Sequence, residues 1–336
     1  MKNQLLGLQA DFFFKHKNLC LTVLTALIII ITPFLLENEY LVHIACMVGI
    51  NILMALGMHM VTGLAGQINM GQYGYFCIGA YSGAILSTTF QLPFEIAILI
   101  TIAISAFFGL LVGIPSLKVE GPYLALCTIG FAESVRLIIN GAAWANRAEG
   151  ISRIPRLSIF GFVMETRLQS YYFIMVFVIL GIICVNNIMD SNFGRRFKAI
   201  KDDPLAASVF GINIVRIKLL AFAICAIFGG IGGHLYANYA SFVNPATFIQ
   251  AMQVNFLLMI VLGGLGSSWG AVIGAVLVTI VFEYTRIYVE FQRVAFGVIM
   301  VLIVLFLRRG LIGTIVHYFE QRKIREHHYN TQGEKK

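Results

Sequence analysis

YYFIMVFVILGIICV, Tyr171 to Val185, is an unbroken apolar run with no charged side chain, followed by NNIMDSNFGRRFKAIKDD, in which polarity returns abruptly. The run does not alternate, so it is no strand of an outer-membrane barrel, whose lipid-facing and lumen-facing residues must alternate. As a helix rising about 1.5 Å per residue, a run of about 20 such residues crosses a hydrocarbon core of about 30 Å. LIIIITPFLL, Leu27 to Leu36, repeats the pattern near the start of the chain. Over all 336 residues, 59% are hydrophobic and only 12% charged. Soluble domains carry about a quarter charged residues, so a water-soluble fold has no means of hiding this much apolar surface.

The same reading along the chain predicts an all-α, polytopic transmembrane helical bundle of about ten spans. They fall near 19–36, 41–61, 67–89, 94–117, 121–140, 170–189, 216–238, 250–264, 269–288 and 293–308. The basic residues set the orientation. Lys2, Lys15 and Lys17 lie in the N-terminal tail, Arg195, Arg196, Lys198, Lys201, Arg216 and Lys218 in 190–218, and the tail 309–336 is basic. The positive-inside bias puts all three in the cytoplasm, and an even number of spans separates each from the next. The segment 141–169 then lies outside, although it carries Arg147, Arg153, Arg156 and Arg167 against Glu149 and Glu165. The net charge of +8 is therefore read as topology charge facing cytoplasm and anionic lipid, not as a nucleic-acid face. Cys20, Cys46, Cys77, Cys127, Cys184 and Cys225 fall singly in apolar runs, with neither a disulfide framework nor a C-x-x-C. Lys15, His16 and Lys17 before the apolar run imitate a secretory signal, but Pro33, Glu37 and Glu39 stand where a cleavage site would be. That run is read as an uncleaved first span. No linker or low-complexity tract divides the chain, so 1–336 is expected to be a single transmembrane domain.

Glycine is abundant inside the spans. Gly79 and Gly83, Gly109 and Gly113, and Gly270 and Gly274 stand at small-xxx-small spacing, and Gly229, Gly230, Gly232 and Gly233 form a run. Close helix packing explains such residues, because lipid supplies no hydrophobic drive for helix association. A helix break lining a cavity is the rival reading, strongest around Gly63 to Gly74. GLAG at Gly63 and GLGS at Gly264 echo one another too faintly for an internal repeat.

GRRFKAIKDDPLAASVFGINIVRIK, Gly194 to Lys218, is a polar interval between two spans with the marks of a folded element. Asp202 or Asp203 is placed to cap a helix with Pro204 in its first turn, and Gly211 to close it. The resulting two-turn helix presents Leu205, Val209 and Phe210 as an apolar knob among Arg195, Arg196, Lys198 and Lys201. The face alone suits either a groove on a partner or the lipid surface.

GRRFKAIKDDPLAASVFGIN resembles the cytoplasmic coupling segment of the branched-chain amino acid ABC-transporter permease family. Three further stretches match that family in order: GLAGQINMGQYGYFCIGAY from Gly63, EGPYLALCTIGFAESVRLIIN from Glu120 and MIVLGGLGSSWGAVIGA from Met259. Urea and short-amide permeases are close relatives. The resemblance covers about 40–312 and is strongest to the subunit of the permease pair that carries the YLAL segment. Two departures stand out: AEGISRIP replaces a more glycine-rich outer stretch, and LRRGLIG lacks a proline often found there.

The resemblance implies a bacterial inner-membrane subunit with cytoplasmic termini, a second permease subunit beside it, and an extracytoplasmic solute-binding protein. It also implies two separate ABC ATPase subunits that use ATP and Mg, docked on Arg195, Arg196, Lys198, Lys201, Asp202, Asp203, Pro204, Leu205, Ala206, Ala207, Phe210 and Gly211. The chain itself has no G-x-x-x-x-G-K-[ST] phosphate loop, no H-E-x-x-H and no G-x-S-x-G, so it is expected to be a transport subunit that binds no cofactor or metal. A secondary transporter working without ATP would need no docking helix.

A polar path must be built from residues within the spans. Glu133 and Arg136 lie about 18 and 22 Å along the fifth span at i, i+3, where charge must be paired or wet. They form a structural ion pair or line the path. Glu283 and Arg286 repeat the spacing nearer a span end and are read as structural. Gln67, Asn69 and Gln72 cap the third span or line the path. His43, Asn51 and His59 lack metal-ligand spacing.

Overall fold

The computed structural model describes residues 38–285, together with Thr22, 25–27, 29–32 and 297–298. The chain is mostly helical. Helix α1 (Glu39–Met58) starts at Asn38, whose side chain accepts from the Tyr40 N–H, and runs into a π-helical turn, His59–Leu64. An irregular stretch leads to α2 (Gln72–Thr88), α3 (Phe94–Gly113) and α4 (Pro122–Gly141). Gly121 precedes α4 with φ +60°, and Pro122 occupies the first turn, where its missing N–H costs nothing. Helix α5 (Arg167–Asp190) opens with a capping box of Thr166 and Gln169. Helices α6 (Asn192–Asp202) and α7 (Pro204–Val209) are short, α8 (Ile214–Ala240) is the longest, and α9 (Gln250–Gly263) and α10 (Ser268–Thr285) follow.

Six helices are long and apolar enough to cross a membrane: Glu39–Leu64, Phe94–Leu117, Pro122–Gly141, Arg167–Asp190, Ile214–Ala240 and Ser268–Thr285. The expectation of about ten spans is thus not met within the described residues. The first, 19–36, is described only at scattered positions, the tenth, 293–308, only at 297–298, and the tail 309–336 lies outside the described residues. The predicted third span, 67–89, becomes helical only at Gln72. The eighth keeps its predicted bounds to within a residue as the 14 residues of α9, about 21 Å at 1.5 Å per residue, which is short of the hydrocarbon thickness.

Helix α8 is the centre of the bundle and packs on α1, α2 and α3. Its glycine run is a packing surface. A Cβ at Gly230 would strike Ser105 of α3, one at Gly233 would strike the backbone of α2 at Phe76, and one at Gly79 would meet Gly230 itself. Gly109 meets Phe222 and Ala226 of α8, while Gly274 meets the Met259 carbonyl of α9. Each glycine removes the one atom that would hold two backbones apart, which is how helices associate where the solvent is as apolar as they are.

The connections divide between two faces. One holds α6 and α7, between the end of α5 and the start of α8. The other holds the segment between α4 and α5, where β1 (Ile151–Ser152) pairs antiparallel with β4 (Phe242–Val243) just past α8, and β2 (Ser158–Ile159) pairs with β3 (Phe162–Val163). Gly150 takes φ +78° against the Val243 backbone, so the AEGISRIP stretch makes a tight turn that only glycine fits comfortably.

Candidate functional site: a docking helix and a broken span

The polar interval folds as two helices where the sequence suggests one. Ser191 caps α6 by accepting from the Phe193 N–H, and Gly194, Phe197 and Ile200 turn one face inward while Arg195, Arg196 and Lys198 stay exposed. Gly194 sits against the Met189 carbonyl, so the chain reverses sharply out of α5. Asp203, rather than the exposed Asp202, caps α7: its Oδ1 accepts from Leu205 N at 2.8 Å and Ala206 N at 3.1 Å. Pro204 fills the first turn and Gly211, at φ +77°, ends the element.

Ala207 anchors α7 to the bundle, and Ala206 is exposed. The outward residues are Leu205, Val209 and Phe210, 79%, 84% and 85% exposed. Beside them a cavity of about 690 Å³ opens between α6, α7 and the start of α8, lined by Phe193, Arg195, Arg196, Phe210 and Arg216 among others. The guanidinium of Arg196 lies 5.8 Å from the centre of the Phe193 ring.

Two basic residues of this interval point elsewhere. Lys218 is almost fully buried and pairs with Glu120 at 2.7 Å, tying the start of α8 to the turn before α4. Lys201 departs from the predicted ring around the knob. Its Nζ donates to the Gly63 carbonyl at 2.8 Å, and its stem lies on Gly66, where a Cβ would come within 2.9 Å of Lys201 Cγ. Lys201 therefore joins the docking helices to the irregular end of α1.

That end is the second feature. After the π turn the chain leaves helical geometry from Ala65 to Gly71, with Gly66 at φ +67°. Backbone groups released inside a membrane protein need partners, since hydrocarbon offers none. Side chains supply them. Met70 N donates to Thr128 Oγ1 of α4 at 2.9 Å, Gly71 N to Asn69 Oδ1 at 3.0 Å, and Gln72 N to Gln253 Oε1 of α9 at 2.9 Å. Gln253 Nε2 donates to the Asn69 carbonyl at 3.2 Å, and Cys225 Sγ of α8 donates to Gln72 Oε1 at 2.7 Å. Asn69, Gln72 and Gln253 are fully buried. The third span is thus capped across the bundle by Gln253, and Asn69 belongs to the break before it. Gln67, also buried, keeps Oε1 without a partner, as do both ring nitrogens of His59 and the Thr62 hydroxyl.

Glu133 and Arg136 form the expected intrahelical ion pair on α4: Arg136 Nε lies 3.0 Å from each Glu133 oxygen, and Tyr73 OH donates to Glu133 Oε2 at 3.5 Å. Both side chains remain partly exposed on the least buried of the six spans. Glu283 accepts from Tyr40 OH at 2.9 Å, and Arg286 lies outside the described residues. His43 pairs with Tyr239 and Asn51 with Thr279, each across helices. Sequence reasoning missed Gln253, Thr128 and Cys225, because a lone polar residue in an apolar run gives no sign of which distant group it serves.

The branched-chain amino acid transport system permease component family matches residues 40–307. The high-affinity branched-chain amino acid transport system permease protein LivM of Salmonella typhimurium is 33% identical over 304 residues, 83% of this chain and 71% of that protein. LivM of Escherichia coli is 31% identical over the same shares. The permease protein LivH of Salmonella typhimurium is more distant, 24% identical over 78% of this chain and 90% of its own length. No solved structure matches. A bundle of long apolar helices and a family match over residues 40–307 lead to one conclusion: the chain belongs to the branched-chain amino acid permease family and is a membrane permease subunit of the ABC-importer type.

Proposed function

We propose that residues 1–336 work as one permease domain that imports branched-chain or other small amino acids across the bacterial inner membrane, both termini in the cytoplasm. A second, LivH-like permease subunit completes the pore, and an extracytoplasmic solute-binding protein delivers substrate. Two separate ABC ATPases hydrolyse ATP with Mg, and this chain binds no cofactor. Support for the substrate class comes from the greater identity to LivM than to LivH, each a branched-chain amino acid permease protein by name.

The observation that carries the ATP-driven reading is α7. A six-residue helix capped at both ends holds Leu205, Val209 and Phe210 outward beside exposed arginines, an arrangement that costs solvation unless a partner covers it. Helix-in-groove docking places such anchors in an apolar pocket of the partner, with arginines meeting acidic residues at its rim. The site comprises Arg195, Arg196, Lys198, Asp203, Pro204, Leu205 and Phe210, with Asp202, Ala206, Ala207 and Gly211 shaping it and Lys201 linking it to the bundle. Replacing Leu205 and Phe210 together with Asp is expected to leave membrane insertion intact and to abolish co-purification of the ATPase subunits. Undiminished co-purification removes the docking assignment. Gln67, Asn69, Gln72, Glu133 and Arg136 are assigned to the path or its support: the unpartnered Gln67 oxygen and the half-exposed ion pair favour direct contact with solute or water, and the bonded Asn69 and Gln72 favour holding the break open.

A further inference from the structure

A cavity of about 780 Å³ opens on the face opposite α6 and α7, between the N-terminal ends of α1 and α5 and the C-terminal end of α8. The placement follows from the chain path. Helix α5 ends at Asp190 beside α6, so Arg167 at its start lies at the far face, and α8 climbs from Ile214 to Ala240 in the opposite sense. The volume falls in the range of small-molecule sites, about 300–1,000 Å³.

The lining combines three chemistries. Its charged rim carries both signs. Arg167 Nε lies 3.9 Å from the Glu39 carboxylate, Arg167 Nη1 donates to the Glu39 carbonyl at 3.4 Å, and Arg156 donates to the Glu165 carbonyl at 2.9 Å, which leaves donors on each guanidinium for other acceptors. Its apolar wall includes Met47 and Met164, flexible side chains that adapt to an apolar guest. Its inner part holds Asn238, 2% exposed, with Oδ1 lacking a partner. A buried amide oxygen left unpaired is costly, about 1–3 kcal/mol, and such a group in a cavity wall points to a donor that arrives with a ligand. Ser241 just beyond it takes φ +55°, a conformation in which a residue without glycine's freedom is held by its surroundings.

We propose that this cavity is a receiving site for a zwitterionic α-amino acid, with its carboxylate at Arg156 and Arg167, its ammonium at Glu39 and Asn238 Oδ1, and its apolar side chain against Met47 and Met164. The assignment rests on the amino-acid reading above and adds to it a site on this chain, outside the docking helix and the broken span. A simple anion lacks the ammonium that Asn238 and Glu39 accept, and an amine lacks the carboxylate that the arginines hold.

The test uses the permease–ATPase complex in lipid nanodiscs, with the solute-binding protein omitted. Ala240, exposed at the cavity, is changed to Cys and its labelling by a water-soluble maleimide is timed against the parent complex as background. L-leucine is expected to slow labelling about tenfold, and leucinamide and 4-methylpentanoate, each lacking one charge, to slow it less than about twofold. Asn238→Leu and Arg167→Gln are each expected to remove the protection, and the exposed Arg167 keeps the test available if the buried variant fails to assemble. No protection by leucine, equal protection by 4-methylpentanoate, or full protection in Arg167→Gln overturns the site. Leucine uptake by the wild-type complex with its binding protein is measured separately. Absent uptake overturns the amino-acid reading, and uptake without protection overturns the site alone.

Discussion

The exposed helix α7 and the broken span invert one another. In α7 apolar side chains stand in the open on a polar surface, and in 65–71 polar side chains lie fully buried in an apolar bundle. Both are unfavourable by composition and stable for opposite reasons. Helix α7 is held by its own backbone chemistry, a capping Asp203, Pro204 at the start and Gly211 at the end, and leaves its apolar face exposed. Beyond the Asn69 side chain on Gly71 N, the break depends on other helices: Thr128 of α4 accepts from Met70 N, Gln253 of α9 accepts from Gln72 N, and Cys225 of α8 bonds the Gln72 side chain. The exposed apolar face is built locally, whereas the irregularity among the apolar helices is maintained by the rest of the bundle. Lys201 is the one residue described here that belongs to both.

Substitutions test that contrast in order of expected effect. Gln253→Leu strips partners from Gln72 N and the Asn69 carbonyl at once, and two buried unsatisfied groups cost about 1–3 kcal/mol each. The expected outcome is a large fall in the thermal midpoint of the purified protein in detergent. An unchanged midpoint would mean that the break is self-supporting after all.

Lys201→Met keeps the stem packed on Gly66 and removes the bond to Gly63, a charged hydrogen bond worth about 1.5–3 kcal/mol. ATPase subunits should still co-purify, and ATP-driven uptake in proteoliposomes should drop about tenfold for the loss of roughly 1.4 kcal/mol of coupling. Wild-type uptake would show that the two regions work without this joint.

Glu133→Ala leaves Arg136 unpaired within a span, and is expected to reduce uptake several-fold while insertion, read by protease protection, stays near normal. Normal transport returns Glu133 to a structural role. The smallest effect belongs to Asp203→Ala, which removes a cap worth about 0.5–2 kcal/mol from α7 alone. Weaker ATPase association with an unaltered thermal midpoint is the expected pattern, because the bundle does not depend on α7.

Much of the architecture was legible in the residues. Long apolar runs read as helices because a membrane leaves the backbone no other partner, and a short capped helix was legible in 194–218 because capping residues act on groups two or three positions away. The number of spans was legible only in outline. Apolar composition does not distinguish a helix that crosses from one, such as α9, too short to do so, and Gln67 to Gly71 looked like the start of a helix because its glycines and amides suit both a cap and a break. Lys201 was grouped with its neighbours in sequence, although its reach depends on the distance from α6 to the end of α1.

The sequence by itself therefore determined that long apolar helices make up the chain, where polarity interrupts them and how α7 is capped, since each depends on a residue and its near neighbours. Tertiary structure decided which amide serves which orphan backbone group, where Lys201 and Lys218 spend their charge, and that Asn238, Arg156 and Arg167 line one cavity. Those relations join residues far apart along the chain, and only the packing of helices on a shared glycine surface brings them within hydrogen-bonding reach.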